Sequence, residues 1–465
     1  MTGRDPTPPV GDDAVFGVSG FRSRVAESFT PLVVLRLTQA FATLVRKRGG
    51  TSVVVGRDTR PSGISAFHAA AAGLTASGLN VVDVGVAPTP TVLHAAAAYG
   101  ADGCMTITAS HNPAEWNGVE FAAENGRLLA AEEREALASA FERGSTALAA
   151  WDAQGRHAVR DDAIDQHIER ILGLPEVDAE AVSERRPRVV IDACNGAGST
   201  ISPALLRRLG CDVVELYCTP DGRFPRSTEP TGEGIGALRE AVRNEGADIG
   251  FAHDVDADRT VLVDERGEFL PEEYTFALVA DAILRDDRRP VVTTAVTGGL
   301  VDEVAAAHGV DVFRTPVGVG HVVDRMREVD AAVGGESTGG VVIPGTHLTA
   351  DGIAALAVIV TGMARGDMSL SAWAARFRRY HLVKAKAPMD GAMDVENALA
   401  ALVGMYPDAS MNRMDGLKLE FGDAWLVVRP SGTEPVLRVF AESPDRDRAE
   451  GLVAQALERV REVTG

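Results

Sequence analysis

The sequence predicts an α/β chain of several domains, on three observations: its length, a recurring strand-then-helix rhythm, and two restarts of that rhythm before a smaller α+β end. At 465 residues with 45% apolar residues, the chain can fill more than one ordinary core. A formal net charge of −20 argues against a nucleic-acid or anionic-membrane surface, because either partner would be repelled. The four cysteines, Cys104, Cys194, Cys211 and Cys218, show neither C-x-x-C nor zinc-ligand spacing and read as small buried hydrophobes in a reducing compartment. Met1 to Asp13 is polar and proline-rich, and no run of about eighteen apolar residues occurs. The expectation is a cytoplasmic protein without a signal peptide or membrane span.

Along the chain, Phe16 to Arg22 sets two glycines around a strand-like pair and ends on an arginine that can face a ligand. Thr30-Pro31 supplies an N-cap and a first-turn proline to a helix that reaches about Arg48, where Gly49-Gly50 stops it. Val53 to Val55 reads as a buried strand, about Ser65 to Ser77 as a helix, and Val81 to Val84 as another strand. This is the alternation of a parallel sheet with crossover helices. It restarts after the mostly polar stretch Ala149 to Arg160, with strands at Val189 to Asp192 and Ala247 to Ala252. After the charged segment Arg285 to Arg289 it starts again, with strands at Val291 to Ala295, Val310 to Phe313 and Ala331 to Val333. The part from about Lys386 lacks long buried runs; strands near Leu417 to Phe421, Trp425 to Val428 and Leu437 to Ala441 and an amphipathic helix, Arg446 to Val463, make it α+β. No residue-level repeat accompanies the rhythm.

Four loops carry chemistry. In Met105-Thr106-Ile107-Thr108-Ala109-Ser110-His111-Asn112-Pro113 an apolar run leads into a turn, placing Ser110 at a strand's carboxyl end on an exposed loop, where open α/β sheets bind ligands. Ser110 there is a base-activated nucleophile, a phosphoryl carrier, or a serine bonding its own turn. Asp254-Val255-Asp256-Ala257-Asp258-Arg259 sets three carboxylates at alternate positions, which can converge on one hard cation or form a solvated acidic turn. Gly334 to Gly340 offers Glu336 and Thr338 to sugar hydroxyls, or is a flexible glycine turn. Arg429-Pro430-Ser431-Gly432-Thr433-Glu434-Pro435, with Arg438 beyond it, suits a phosphate monoester or a plain Pro-Gly turn. Together the four loops make a kit for phosphoryl transfer on a sugar.

From Phe16 onward the sequence resembles the α-D-phosphohexomutase superfamily. The family's T-A-S-H-N-P stands at Thr108 to Pro113, its D-x-D-x-D-R at Asp254 to Arg259, and its R-P-S-G-T-E-P at Arg429 to Pro435. Gly56 to Arg60, Asp221 to Pro225 and Thr315 to Gly318 also match. The resemblance implies four domains around a central cleft, three α/β mixed-sheet domains and a smaller C-terminal α+β domain. The expected boundaries are a disordered start at 1–13, domain I with the phosphoserine loop at 14–150, domain II with the metal loop at 151–265, domain III with the sugar loop at 266–380, and domain IV with the phosphate loop at 381–465.

It also implies interconversion of hexose 6-phosphate and hexose 1-phosphate. Ser110 would be held as phosphoserine, with hexose 1,6-bisphosphate as intermediate and activator and Mg²⁺ on Ser110, Asp254, Asp256 and Asp258. His111 and Arg22 would orient groups and move protons. Arg259, Glu336, Thr338, Arg429, Ser431, Gly432, Thr433 and Arg438 would bind substrate. The implied partner is a small phosphosugar, and the implied assembly a monomer or homodimer.

The sequence departs from the family at Asn117-Gly118-Val119-Glu120, where many members carry a lysine in place of Glu120, which makes Glu120 a candidate base or a side chain that faces solvent or pairs with a basic neighbour; Gly320-His321 also replaces a usual lysine. A Gly-Gly ending of the sugar loop, at Gly339-Gly340, is similar to archaeal-type phosphoglucosamine mutases, so glucosamine phosphate is the expected substrate. Phosphomannomutase or phosphoglucomutase activity, a bisphosphate synthase, and a sugar-phosphate binder with weakened turnover are the alternatives.

Overall fold

The computed structural model describes residues 14–17, 20–389, 395–430 and 436–464, so the expected disordered start lies outside the described residues. Residues up to 275 together with 339–371 form one compact unit, and residues 276–338 with 372 onward form a second.

In the first unit, β1 (Val15–Phe16), β2 (Gly20–Arg24), β3 (Ser52–Arg57), β4 (Asn80–Val86), β5 (Gly103–Ile107), β6 (Trp116–Ala122) and β7 (His157–Val159) form a sheet in the order β1-β2-β6-β5-β3-β4-β7. Val53, Val54 and Val55 are fully buried, as a central strand covered on both faces requires. β5, β3, β4 and β7 run parallel, whereas β6, β2 and β1 are antiparallel additions. The strand-helix rhythm shows only the parallel half, because Trp116–Ala122 joins β5 by a loop rather than a helix. The helix Pro31–Lys47 is capped by Thr30 Oγ1, which accepts from Val33 N, and buries Val33, Val34, Leu37 and Phe41.

A second sheet orders β12-β11-β10-β8-β9, from β8 (Arg188–Asp192), β9 (Asp212–Leu216), β10 (Ile249–His253), β11 (Thr260–Asp264) and β12 (Phe269–Leu270). β8 is parallel to β9 and β10, and β11 turns back antiparallel on β10. His253 pairs with Thr260, so Asp254 to Arg259 is the loop of a hairpin. In the second unit, β13 (Val291–Thr294) lies between the parallel strands β14 (Val312–Thr315) and β15 (Val333–Gly335).

At β16 (Val341–Val342) the chain rejoins the first unit, and the helix Gly352–Gly366 follows, buried almost all round and correspondingly apolar on every side. The C-terminal sheet belongs to the second unit and is wholly antiparallel. It orders β17-β21-β20-β19-β18, from β17 (His381–Pro388), β18 (Ser410–Asn412), β19 (Leu417–Glu420), β20 (Trp425–Pro430) and β21 (Val436–Ser443). Leu399, Leu402, Ala456 and Val460 of two helices pack on one of its faces against Leu419, Val428, Leu437 and Val439. Among the described residues no helix is long and apolar enough to cross a membrane.

Candidate active site

Ser110 follows β5 by three residues with a φ of 48°, the left-handed region that non-glycine residues seldom adopt. A dense clamp holds it there. The Arg60 guanidinium donates to four carbonyls of the loop: Ser110 at 2.8 Å, Asn112 at 2.7 Å, Pro113 at 2.7 Å and Trp116 at 2.9 Å. Asp58 in turn accepts from Arg60 Nε at 3.1 Å and from Thr108 Oγ1 at 2.7 Å, and Thr108 Oγ1 accepts from Ser110 N at 2.9 Å. The Asp58 and Arg60 side chains are wholly buried. Burial raises the Asp58 pKa even though Arg60 beside it pulls the other way. Gly118 lets the neighbouring strand approach, since a Cβ there would meet the Phe21 and Thr108 carbonyl oxygens at 2.6 Å. The expected exposed loop is a buried one: Ser110 is 1% exposed, because the clamp and the Asp254 to Arg259 hairpin loop close over it.

Ser110 Oγ lies 3.2 Å from Asp254 Oδ2 and 3.2 Å from His111 Nδ1. The hairpin loop curls so that carboxylate oxygens of Asp254, Asp256 and Asp258 all come within 4.8 Å of one another. Ala257 at φ 54° makes the curl, and Gly352 permits it, because a Cβ there would meet the Ala257 and Arg259 backbone at under 3 Å. Burial and mutual repulsion raise Asp254 well above the usual carboxylate range and Asp258 to about 6, with Arg259 opposing both. Thr89 Oγ1 donates to Asp256 Oδ2 at 2.7 Å. Asp256 Oδ1 and Asp258 Oδ1 are buried without a hydrogen-bond donor among the described residues. Buried, mutually repelling carboxylate oxygens whose lone pairs meet no hydrogen-bond donor among the described residues fit a hard divalent cation.

Arg22 reaches the same place from β2, donating to Asn112 Oδ1 at 3.1 Å and to Glu120 Oε1 at 2.7 Å. Arg22 is registered opposite Gly118, so Glu120, two residues along β6, is its diagonal neighbour on one face of the sheet. Burial, then the charges of Asp256 and Asp258, push Glu120 up to about 7 although Arg22 opposes them.

In the second unit, Glu336 follows β15 and its Oε1 accepts from Gly318 N at 3.2 Å. Asp415 accepts from Val317 N at 2.9 Å and from Arg429 Nε at 2.9 Å, so one carboxylate joins the Thr315 to Gly318 turn to the arginine that ends β20. Arg438 stands opposite Arg429 in the β20–β21 ladder. Thr338 is half-buried beyond Glu336. Ser431, Gly432 and Thr433 lie outside the described residues.

The chain matches four successive family models, described as phosphoglucomutase/phosphomannomutase alpha/beta/alpha domain I over residues 13–147, domain II over 165–267, domain III over 271–380, and the C-terminal domain over 382–459. The chain belongs to the phosphoglucomutase/phosphomannomutase family. It is therefore a phosphohexomutase, an isomerase of the phosphoglucosamine mutase/phosphomannomutase type. A Thermococcus kodakarensis protein named "Phosphoglucomutase/phosphomannomutase" is 40% identical over 94% of this mutase and 96% of its own length. A Methanopyrus kandleri protein named "Probable phosphoglucosamine mutase" is 36% identical over 96% and 99%. A Burkholderia thailandensis family member of known structure superposes with a TM-score of 0.86 at 25% identity, over 98% of this mutase and 99% of that chain. An Aspergillus fumigatus N-acetylphosphoglucosamine mutase, crystallised with GlcNAc-6P and magnesium, shares the fold at 16% identity and a TM-score of 0.57, over 97% of this mutase and 96% of that chain.

The structure thus gathers Ser110, His111, Arg22, Glu120 and the three aspartates in one unit, and Glu336, Arg429 and Arg438 in the other. Sequence reasoning passed over the contacts that Asp58, Arg60, Thr89 and Asp415 make. Gly56 to Arg60, a strand running into a charged loop, was the signal for the first two. Asp415 sits in a polar turn and carried none.

Proposed function

We propose that this mutase interconverts glucosamine 6-phosphate and glucosamine 1-phosphate through a phosphorylated Ser110 and a hexose 1,6-bisphosphate. The observation that carries the reading is Ser110, held left-handed with its Oγ 3.2 Å from a buried triple carboxylate. Asp254, Asp256 and Asp258, with a phosphoserine oxygen, would hold Mg²⁺, which neutralises the charge that develops on a transferring phosphoryl group. Arg259 stands beside these carboxylates, 3.8 Å from Asp258 Oδ1.

In the transfer, the sugar hydroxyl oxygen bonds to phosphorus as the bond from phosphorus to Ser110 Oγ breaks, and the hydroxyl proton passes to Glu120. The return step is the reverse exchange at the other end of the bisphosphate. Arg22 orients Glu120, and His111 orients the serine oxygen. Arg429, Ser431, Gly432, Thr433 and Arg438 grip the phosphate that stays in place, while Glu336 and Thr338 take sugar hydroxyls. The protein acts on free phosphosugar in the cytoplasm, as a monomer or homodimer. The name carried by the 40% identical relative favours a second reading, with glucose or mannose phosphate as substrate.

The test is intact-mass detection of a phosphate on Ser110 together with turnover of glucosamine, glucose and mannose 1-phosphates, each primed with its bisphosphate. Fastest turnover of glucosamine 1-phosphate is expected. A preference for another hexose would replace the substrate, and an unphosphorylated, inactive protein would leave a sugar-phosphate binder.

A further inference from the structure

The serine loop and the Asp254 to Arg259 hairpin loop hang from different sheets, one after β5 and the other between β10 and β11. Their side chains meet at Ser110 Oγ and Asp254 Oδ2, the contact that a phosphoryl group on Ser110 and a cation on Asp254 would come between. Thr89 joins Asp256 to the helix Thr89–Ala98 and not to the serine loop. The spacing of the two loops therefore has to be held through their backbones. Arg60 takes the carbonyls of Ser110, Asn112, Pro113 and Trp116, which ties the loop to its own sheet and passes over His111. The His111 carbonyl accepts instead from Thr228 Oγ1, at 2.6 Å.

Thr228 lies in the stretch between β9 and the helix Gly236–Glu245, and two residues before it Arg226 holds the other loop. Arg226 Nη2 donates to the His253 carbonyl at 2.6 Å and its Nε to Asp192 Oδ2, at the end of β8, at 2.8 Å. His111 directly follows Ser110, and His253 directly precedes Asp254. One short segment thus grips the backbone beside the serine and the backbone beside the first aspartate. The segment is itself fixed: Asn195 Nδ2 donates to the Arg223 carbonyl at 2.9 Å, and the Arg60 guanidinium lies 5.2 Å from the Phe224 ring centroid. Thr228 is buried, and the Arg226 and Asp192 side chains are 5% and 0% exposed. A buried ion pair adds little net stability, because desolvation offsets the attraction, so what Asp192 gives Arg226 is a fixed place for its guanidinium.

We propose that Thr228 and Arg226 are positioning residues that set the distance between Ser110 and the three aspartates, Thr228 through the His111 carbonyl and Arg226 through the His253 carbonyl. This rests on the phosphoserine and Mg²⁺ roles given to those residues above. Phosphoryl transfer is mostly positioning and charge neutralisation, and a misplacement of about 1 Å can cost about a hundredfold in rate. Without the Thr228 hydroxyl the four carbonyls held by Arg60 still restrain the serine loop, so the loop shifts only in part.

The experiment measures kcat, KM for the hexose 1-phosphate, the Mg²⁺ dissociation constant by isothermal titration calorimetry, and Tm in Thr228→Val, Thr228→Ser and Arg226→Lys, beside Ser110→Ala and Asp256→Asn. Thr228→Val keeps the shape and loses the O–H; it should lower kcat about tenfold, with KM and the Mg²⁺ constant within about twofold and Tm near wild type. Thr228→Ser restores the donor and should recover most of kcat. Arg226→Lys, which loses the planar fork, should weaken Mg²⁺ about fivefold. If Thr228→Val keeps kcat within about twofold while Ser110→Ala is inactive, the inference is overturned and the phosphoserine role stands. A loss that Thr228→Ser shares, or one matched by a fall in Tm, would also overturn it, because packing and not the hydroxyl would then be responsible. Unchanged Mg²⁺ affinity in Arg226→Lys, with Asp256→Asn weakened, would overturn the part played by Arg226. If Ser110→Ala stays active, or Asp256→Asn binds Mg²⁺ as wild type does, the roles on which the inference rests fail and the inference fails with them.

Discussion

Replacing Glu120 by glutamine exchanges one carboxylate oxygen for an amide group and keeps the shape of the side chain, including an oxygen that can still accept from Arg22 at 2.7 Å. What it removes is the capacity to take a proton. Because burial and the nearby Asp256 and Asp258 hold Glu120 up at about 7, roughly a tenth of it is ionised at about pH 6 and nine-tenths at about pH 8. Such a group is well placed to accept a proton near neutrality, and general-base catalysis is worth about a hundred- to ten-thousandfold. Glu120→Gln should therefore lower kcat about a hundredfold or more and leave KM nearly unchanged. In wild type, log kcat should rise with pH as Glu120 ionises and then level off, and that limb should be absent from the variant. A coupled mutase assay between about pH 5.5 and 9, saturated with bisphosphate and Mg²⁺, reads both. Wild-type kcat with the limb intact in Glu120→Gln would refute the base assignment. Faster turnover in Glu120→Lys would show instead that this chain is a weakened mutase.

Ser110→Ala should fold normally by circular dichroism, carry no phosphate by intact mass, and turn over at less than about a thousandth of wild type; substantial mutase activity would remove Ser110 from its role. Mg²⁺ binding should weaken as pH falls below about 6, where Asp258 takes up a proton that competes with the cation, and Asp256→Asn should bind Mg²⁺ more weakly at every pH. Isothermal titration calorimetry measures both, and pH-independent affinity would contradict a site made of these carboxylates. Asp58→Ala leaves the Arg60 guanidinium buried without its counter-charge, which should cost about 3 to 5 kcal/mol in the first denaturant transition. A change below about 1 kcal/mol would show that the clamp is not under this electrostatic constraint.

The sequence by itself determined most of the secondary structure that buried runs and caps specify. Thr30-Pro31 and Gly49-Gly50 bracket a helix observed at Pro31–Lys47, and Val53 to Val55 sits within β3. These are local signals, because a cap or an apolar run acts within a few residues. It also brought the serine loop and the triple aspartate into view, since each is contiguous and each follows a strand.

Only the tertiary structure decided how those pieces act. Trp116–Ala122 carries little local signature of a strand, yet as β6 it brings Glu120 beside Arg22, from a residue 98 positions away. Arg60 and Ser110 are fifty positions apart, and nothing in either segment states that one guanidinium will gather four carbonyls of the other. Asp415 likewise acquires its meaning from Val317, 98 positions earlier. Burial supplies the rest. Glu120 would titrate as an ordinary surface acid in an extended chain, and only its removal from water beside other carboxylates raises it to about 7. Desolvation and long-range charge depend on which segments the fold brings together, so they are absent from any short window of sequence.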